Sequence, residues 1–126
     1  LSMKEGEAKL TDAELEIMQV VWDLGGGTVR QVHERLNQNR PLAYTTVMTM
    51  MGILEDKGHL TRTKQGRAYH YEPVRPKSQV ISNMVDDFVG KVFAGSARPL
   101  VLSLVKDRKL SKKDLEEIAR LIRETE

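Results

Sequence analysis

One stretch decides the fold, and it reads Leu42-Ala43-Tyr44-Thr45-Thr46-Val47-Met48-Thr49-Met50-Met51-Gly52-Ile53-Leu54. Read as a helix, it carries an apolar face at helical spacing: Val47, Met50, Met51 and Leu54. The opposite face carries short side chains: Thr45, Thr49 and Gly52, flanked by Thr46 and Met48. Such a face lets a helix approach another surface closely, and a DNA major groove admits one helix whose threonines can contact bases. A partly buried helix facing another protein element is the alternative, and this segment alone does not decide between them.

The segment upstream predicts two helices that each begin with a capping box. Thr11 and Glu14 have the spacing of the first box, and Thr28 and Gln31 have the spacing of the second. The run Gly25-Gly26-Gly27 ends the first helix and lacks the spacing of a phosphate-binding loop, so we predict a turn between helices.

The second helix runs to about Asn37, and Pro41 excludes a continuous helix into residues 42–54. The helix over 42–54 then ends at Lys57-Gly58. Two helices joined by a short turn, the second with the unusual face, form a helix-turn-helix pattern.

The next residues predict a β-hairpin, and therefore a winged helix. Residues 60–64 and 67–71 are rich in Thr and Tyr, and Gln65-Gly66 supplies the turn between them. Lys64 and Arg67 lie at the tip, where they can contact a phosphate backbone. A solvated tip with ordinary basic residues is the alternative, and the preceding helix favours the wing.

The prolines of Glu72-Pro73-Val74-Arg75-Pro76 mark a boundary, beyond which the pattern is helical. We therefore predict a mainly α protein: a winged-helix domain over residues 8–74 and a three-helix dimerisation domain over residues 75–126. Fifty residues are too few to bury so much apolar surface alone, and a two-fold dimer would bury it. Packing of these helices on their own winged helix is the alternative. The predicted dimer interface comprises Ile81, Val85, Phe88, Val89, Val92, Phe93, Leu100, Leu104, Leu115, Ile118, Leu121 and Ile122.

Composition sets broad limits on function. The 126 residues carry a net charge of only +2, but residues 28–71 hold seven basic and three acidic side chains. The positive charge thus lies on the elements expected to contact DNA. The chain has no cysteine, no visible signal peptide and no run near the ~20 apolar residues of a membrane span. We expect a cytoplasmic protein without cofactor or metal, and no grouping of residues suggests an enzyme.

Together these motifs resemble the penicillinase repressor (BlaI/MecI) family of winged-helix transcriptional repressors. The resemblance covers nearly all of residues 10–124. It rests on residues 10–18 with Trp22, 28–32, 43–49, 54–58 and 69–71, and on 88–93, 100–102 and 110–111. It implies a homodimer that represses a β-lactamase-type or other resistance operon from a pseudo-palindromic operator with TACA/TGTA-like elements. It also implies a membrane sensor with a zinc-protease domain, which induces transcription by cleaving the repressor.

The expected mechanism is steric repression. Bases or nearby phosphates are contacted by Tyr44, Thr45, Thr46 and Thr49, and phosphates by Thr28, Arg30, Arg62, Lys64 and Arg67. Two other functions stay open: a winged helix for protein contact, and a regulator that responds to a small molecule.

The position of regulatory cleavage departs from the family pattern. Well-known members are cleaved at an Asn-Phe bond, and this chain has Ser103-Leu104 there. The departure argues against induction by the same protease specificity and leaves DNA binding untouched.

Overall fold

The computed structural model describes residues 9–125, and it confirms a mainly α winged-helix fold. The elements in chain order are α1 (Asp12–Leu24), β1 (Gly27–Thr28), α2 (Val29–Asn37), α3 (Tyr44–Asp56), β2 (Leu60–Gln65), β3 (Ala68–Pro73), α4 (Lys77–Val92), α5 (Arg98–Lys106) and α6 (Lys112–Thr125). The chain divides into two compact units, one ending at Ile81 and one beginning at Ser82. The domain boundary after residue 74 stays a prediction, because compactness alone does not show which part folds independently.

Both predicted capping boxes of the first unit are present. The Thr11 hydroxyl accepts from the Glu14 N–H at 3.1 Å, and the Glu14 carboxylate accepts from the Thr11 N–H at 2.8 Å. Thr28 and Gln31 repeat this exchange at 3.2 and 2.8 Å. The boxes fix where α1 and α2 begin, since they satisfy N–H groups that have no partner inside the helix.

The core lies between the first three helices and the sheet. Its side chains are Ile17, Met18, Val21, Val29, Val32, Leu36, Val47, Met51, Leu54, Leu60 and Tyr71. Helix α3 contributes three of its four predicted apolar residues as fully buried side chains, Val47, Met51 and Leu54. Met50 is half-buried beside them. The period of the apolar residues therefore sets the rotation of α3 about its axis.

The sheet has three antiparallel strands in the order β1-β3-β2. The hairpin turn lies at Gly66-Arg67, one residue later than predicted, because Gln65 pairs with Ala68. Gly66 has φ 62° at the first turn position, where a two-residue hairpin of type II′ requires glycine.

Strand β1 is absent from the sequence prediction, which placed residues 25–27 in a turn. Gly27 pairs with Tyr71 and Thr28 with His70. Gly26 has φ 105°, and a Cβ there would lie 2.9 Å from the Tyr71 carbonyl oxygen. Glycine at this position thus allows the chain to approach β3 closely.

The second unit follows the predicted helical pattern. Helix α5 begins at Arg98 and contains Pro99 in its first turn. Proline is tolerated there because the first N–H groups of a helix have no intrahelical partner. Helix α6 also begins with a capping box, in which Ser111 and Asp114 exchange hydrogen bonds of 2.9 and 3.0 Å. No helix within residues 9–125 is long and apolar enough to cross a lipid bilayer.

A partly buried ion pair joins the start of α1 to the end of α3. Lys57 Nζ lies 2.7 Å from the carboxylate of Glu14 and also donates to the Lys9 carbonyl at 3.1 Å. Burial by itself raises the pKa of Glu14. Hydrogen bonds from Lys57 and Thr11, with the charge of Lys57, outweigh burial and hold the pKa below its ordinary 4.5. Because the folded state lowers this pKa, the stabilisation is present above pH 4.5 and is lost as the pH falls through the folded value.

Replacing Glu14 by Gln should lower the free energy of unfolding at pH 7 by about 1–3 kcal/mol, since a partly buried charged hydrogen bond is lost. The difference from the wild type should disappear as the pH falls through the lowered pKa of Glu14 in the folded state. Denaturant unfolding across this pH range measures both effects.

Glu16→Gln is the matched control on the same helix. Glu16 pairs with Arg40, and both side chains are substantially exposed, so its loss should cost less than about 0.5 kcal/mol. Equal losses in the two variants, or a Glu14→Gln effect independent of pH, would contradict the role given to the partly buried pair.

Candidate nucleic-acid interface

The exposed face of α3 carries the side chains that were predicted to contact DNA. Thr45, Thr46 and Thr49 are exposed, and Tyr44 and Met48 are 45% and 46% exposed. Helix α3 has no acidic residue in its first turn. The face is therefore uncharged and open, and its threonine side chains are short, as a helix entering a groove requires.

Two further residues that were predicted to contact DNA, Thr28 and Arg30, lie at the start of α2, and their environments differ. Thr28 uses its hydroxyl to accept from Gln31, and its backbone pairs with His70. Its capping role is therefore observed. Arg30 is exposed and forms an ion pair of 3.2 Å with Glu34 one turn away. Such an exposed pair is weak, so it leaves the guanidinium available to an anion.

The wing carries two basic side chains with no ion pair among the described residues, Lys64 and Arg67. Both are exposed. Lys64 lies in β2 opposite Tyr69, and Arg67 lies in the turn itself. The hairpin therefore presents two unneutralised positive charges at its tip.

Arg62, the third predicted wing contact, is engaged within the protein. Its Nε lies 3.4 Å from the Glu55 carboxylate, and its guanidinium carbon lies 4.2 Å from the centre of the Tyr69 ring. A hydrogen bond with the Tyr71 side chain, and then the charge of Glu55, raises the pKa of Arg62. Arg62 thus links the end of α3 to the wing, a role that sequence reasoning missed because its partners are distant in sequence or on another strand.

The sequence reasoning also missed His33 and Asn37 on α2. The His33 ring packs edge-on against the Tyr44 ring, with their centres 5.6 Å apart. Asn37 accepts a hydrogen bond from the Leu42 N–H in the turn before α3. Their separation of four residues places both on one helix face, which is the signal that could have identified them.

None of the twelve side chains that were predicted to form the dimer interface is buried. Ile81, Val89, Phe93, Leu100 and Leu104 are half-buried, and the other seven are exposed. Phe88 is 48% exposed and Val92 58%, so a large apolar surface faces solvent. At the predicted cleavage position, Ser103 is exposed and Leu104 half-buried, both within α5.

Within residues 9–125, no three His, Cys, Asp or Glu side chains are grouped closely enough to hold a metal ion. Glu14 and Lys57 pair at the start of α1 and the end of α3, where the pair bridges two helices. The exposed face of α3 and the wing tip carry hydroxyls and cations, which suits recognition of a polyanion.

Comparison with known proteins agrees with this geometry. The family model for the penicillinase repressor matches residues 10–124. The penicillinase repressor of Bacillus licheniformis is 28% identical over 116 residues, which are 92% of this chain and 91% of that protein. The transcriptional regulator BlaI of Mycobacterium tuberculosis is 35% identical over 99 residues, which are 75% of this chain and 72% of that protein.

Among solved structures, the DNA-binding domain of the repressor BlaI superposes with a TM-score of 0.53 at 33% identity. The match covers 60% of this chain and 92% of that domain.

Proposed function

The chain belongs to the penicillinase repressor family, whose members are transcriptional repressors rather than enzymes, and we propose that it represses transcription by binding operator DNA as a homodimer. In this proposal α3 enters the major groove, with Thr45, Thr46, Thr49 and Tyr44 facing bases and adjacent phosphates. Arg30 at the start of α2, and Lys64 and Arg67 on the wing, contact the flanking phosphates. Thr28 and Arg62 are proposed as weaker contributors, because both already have partners within the protein.

The observation that carries the proposal is the exposed threonine face of α3. A helix that binds protein usually presents large apolar, aromatic or arginine anchors. Helix α3 presents hydroxyls and methyls, with Met48 and Tyr44 as its large exposed side chains before Gly52. This face lies between elements that bear exposed cations, as phosphate contacts on either side of a groove require.

Homodimer formation is supported by the apolar surface of the second unit. Soluble monomers seldom expose large contiguous apolar patches, yet α5 and α6 bury none of their described side chains. A two-fold pairing of this surface would hold two winged helices at a fixed separation. A pseudo-palindromic operator matches that symmetry.

Regulation is proposed from the family pattern. We place the protein in the cytoplasm, on an operon for β-lactamase or another resistance function, with a sensor protease as the inducing partner. Cleavage between Ser103 and Leu104 would divide α5. Because a protease acts on locally opened chain, α5 would have to unfold there before cleavage.

The proposed function is tested by fluorescence anisotropy titration of the protein against two duplexes at two salt concentrations. One duplex carries an inverted TACA/TGTA repeat, and the other is scrambled. Preference for the repeat by ~10³-fold or more, with steep salt dependence, is expected of a sequence-specific dimer. Equal weak binding to both would reject this operator, and a selection from random-sequence DNA would then show whether any sequence is preferred.

Thr49→Ala should lower affinity for the preferred duplex about tenfold, while binding to scrambled DNA stays nearly constant, because a base contact carries sequence discrimination. Thr125→Ala, a helical threonine of α6, is the matched control. An equal loss on both duplexes would instead assign Thr49 to the DNA backbone.

Replacing both Phe88 and Phe93 by Glu should give monomers, since charges would enter the apolar surface. Operator binding should then weaken by about 10²-fold, because the two half-sites are no longer bound together. Light scattering gives the mass, and circular dichroism verifies the helices. Asn83→Glu, on the opposite side of α4, should stay dimeric, and a dimeric Phe88/Phe93 variant would place the interface elsewhere.

A further inference from the structure

The recognition helix α3 begins without a side-chain cap of its own. Helices α1 and α2 each begin with a complete capping box. The N-cap of α3 is Ala43, whose side chain makes no hydrogen bond. Alanine is a poor N-cap, so the position of this helix start has to be fixed by other groups.

Two side chains of α2 hold the backbone just before α3. The Leu42 N–H donates to Asn37 Oδ1 at 3.1 Å, and the Leu42 carbonyl oxygen lies 2.8 Å from His33 Nε2. A carbonyl oxygen only accepts, so Nε2 of His33 carries the proton and donates it. Asn37 Nδ2 lies 3.1 Å from the same ring nitrogen, but with a proton on both groups this contact is not a hydrogen bond. Both backbone polar groups of Leu42, its N–H and its carbonyl, are therefore held from the preceding helix.

The same histidine also contacts the first residue of α3. The rings of His33 and Tyr44 lie edge to face, with an interplanar angle of 81° and centres 5.6 Å apart. This arrangement is a favourable one for two aromatic rings. Tyr44 is 45% exposed, so the contact orients a side chain that also faces solvent, immediately before Thr45 and Thr46.

We propose that His33 is a positioning residue for DNA recognition. With Asn37 it fixes Leu42 and Tyr44, and through them the place and orientation of the first turn of α3. His33 itself is half-buried and directs its donor into the protein. It therefore acts on sequence preference through α3 and makes no phosphate contact. This inference rests on the proposed function, since it concerns the face through which α3 would bind DNA.

The arrangement explains the choice of histidine at this position. A leucine would fill similar space and pack against Tyr44, but it would leave the Leu42 carbonyl without its donor. Glutamine would retain an amide N–H within reach of that carbonyl and lose the ring contact. The two substitutions therefore separate hydrogen bonding from packing.

The test compares the wild-type protein with His33→Leu and His33→Gln. The probes are a duplex selected by the wild-type protein from random-sequence DNA and a scrambled duplex, each titrated at two salt concentrations. His33→Leu should bind the selected duplex about tenfold more weakly and the scrambled duplex within about twofold, since only discrimination is lost. The slope of log affinity against log salt should be unchanged, because no phosphate contact is removed. His33→Gln should recover part of the loss.

Three controls make the outcomes distinct. Gln38→Ala, an exposed change at the C-cap of α2, should leave both affinities unchanged. Melting temperatures verify folding, and if His33→Leu does not fold, Asn37→Ala removes one of the two hydrogen bonds to Leu42 and should show the same selective loss.

Ring ¹⁵N shifts of the free wild-type protein should show the proton on Nε2 of His33. A proton on Nδ1 alone, with Nε2 bare, would overturn the assignment.

The inference is wrong if a folded His33→Leu keeps its preference for the selected duplex or weakens equally on both duplexes. A salt slope reduced by about one unit would also overturn it, by making His33 a phosphate contact. If selection with the wild-type protein enriches no sequence, the proposed function itself fails, which is a different result from an unchanged variant.

Discussion

The burial of one face of α3 is the constraint on which the rest of the structure depends. Val47, Met51 and Leu54 have no exposed surface and pack with side chains of α1 and α2. Any rotation of α3 would expose apolar area worth about 25 cal/mol per Å². The opposite face, with its threonines, is therefore directed outward by the core. The orientation of the surface proposed to bind DNA therefore follows from packing of the core. The side chains on that surface take no part in this packing, so their identity is set by recognition instead.

Ion pairing inside the protein decides how much positive charge is available to an anion. Seven basic side chains lie in residues 28–71, but several have acidic partners. Lys57 is paired with Glu14 at the start of α1, Arg62 with Glu55 beside Tyr69, and Arg40 with Glu16. These pairs connect α3 and the wing to their surroundings. The exposed cations without an ion pair in the described chain include Lys64 and Arg67, so the wing tip is the strongest candidate for phosphate.

Local signals in the sequence predicted most of the helices and the wing, and distant pairings were missed. Capping boxes at Thr11 and Thr28 are readable because all their atoms lie within four residues. Strand β1 is two residues long and exists through pairing with β3, more than forty positions away, so it has no local signature. Arg62 was read as a free cation because its carboxylate partner is on α3. The threonine face was predicted from period alone, whereas its support by His33 required the fold.

The absence of acidic residues from the first turns of α2 and α3 agrees with the proposed DNA-facing surface, a feature that α4 and α5 of the second unit share. The helix dipole favours acids in a first turn by about 0.3–1 kcal/mol each. Helix α1 follows this preference with Asp12 and Glu14. Helices α2 and α3 have no acid in their first turns, and the box of α2 closes with the neutral Gln31. Stability alone favours acids at all three starts. A carboxylate at the start of α2 or α3 would repel the anionic partner proposed here, so the absence of acids from these first turns agrees with the proposal. The start of α3 at Ala43 is instead held in place by His33 and Asn37 of α2.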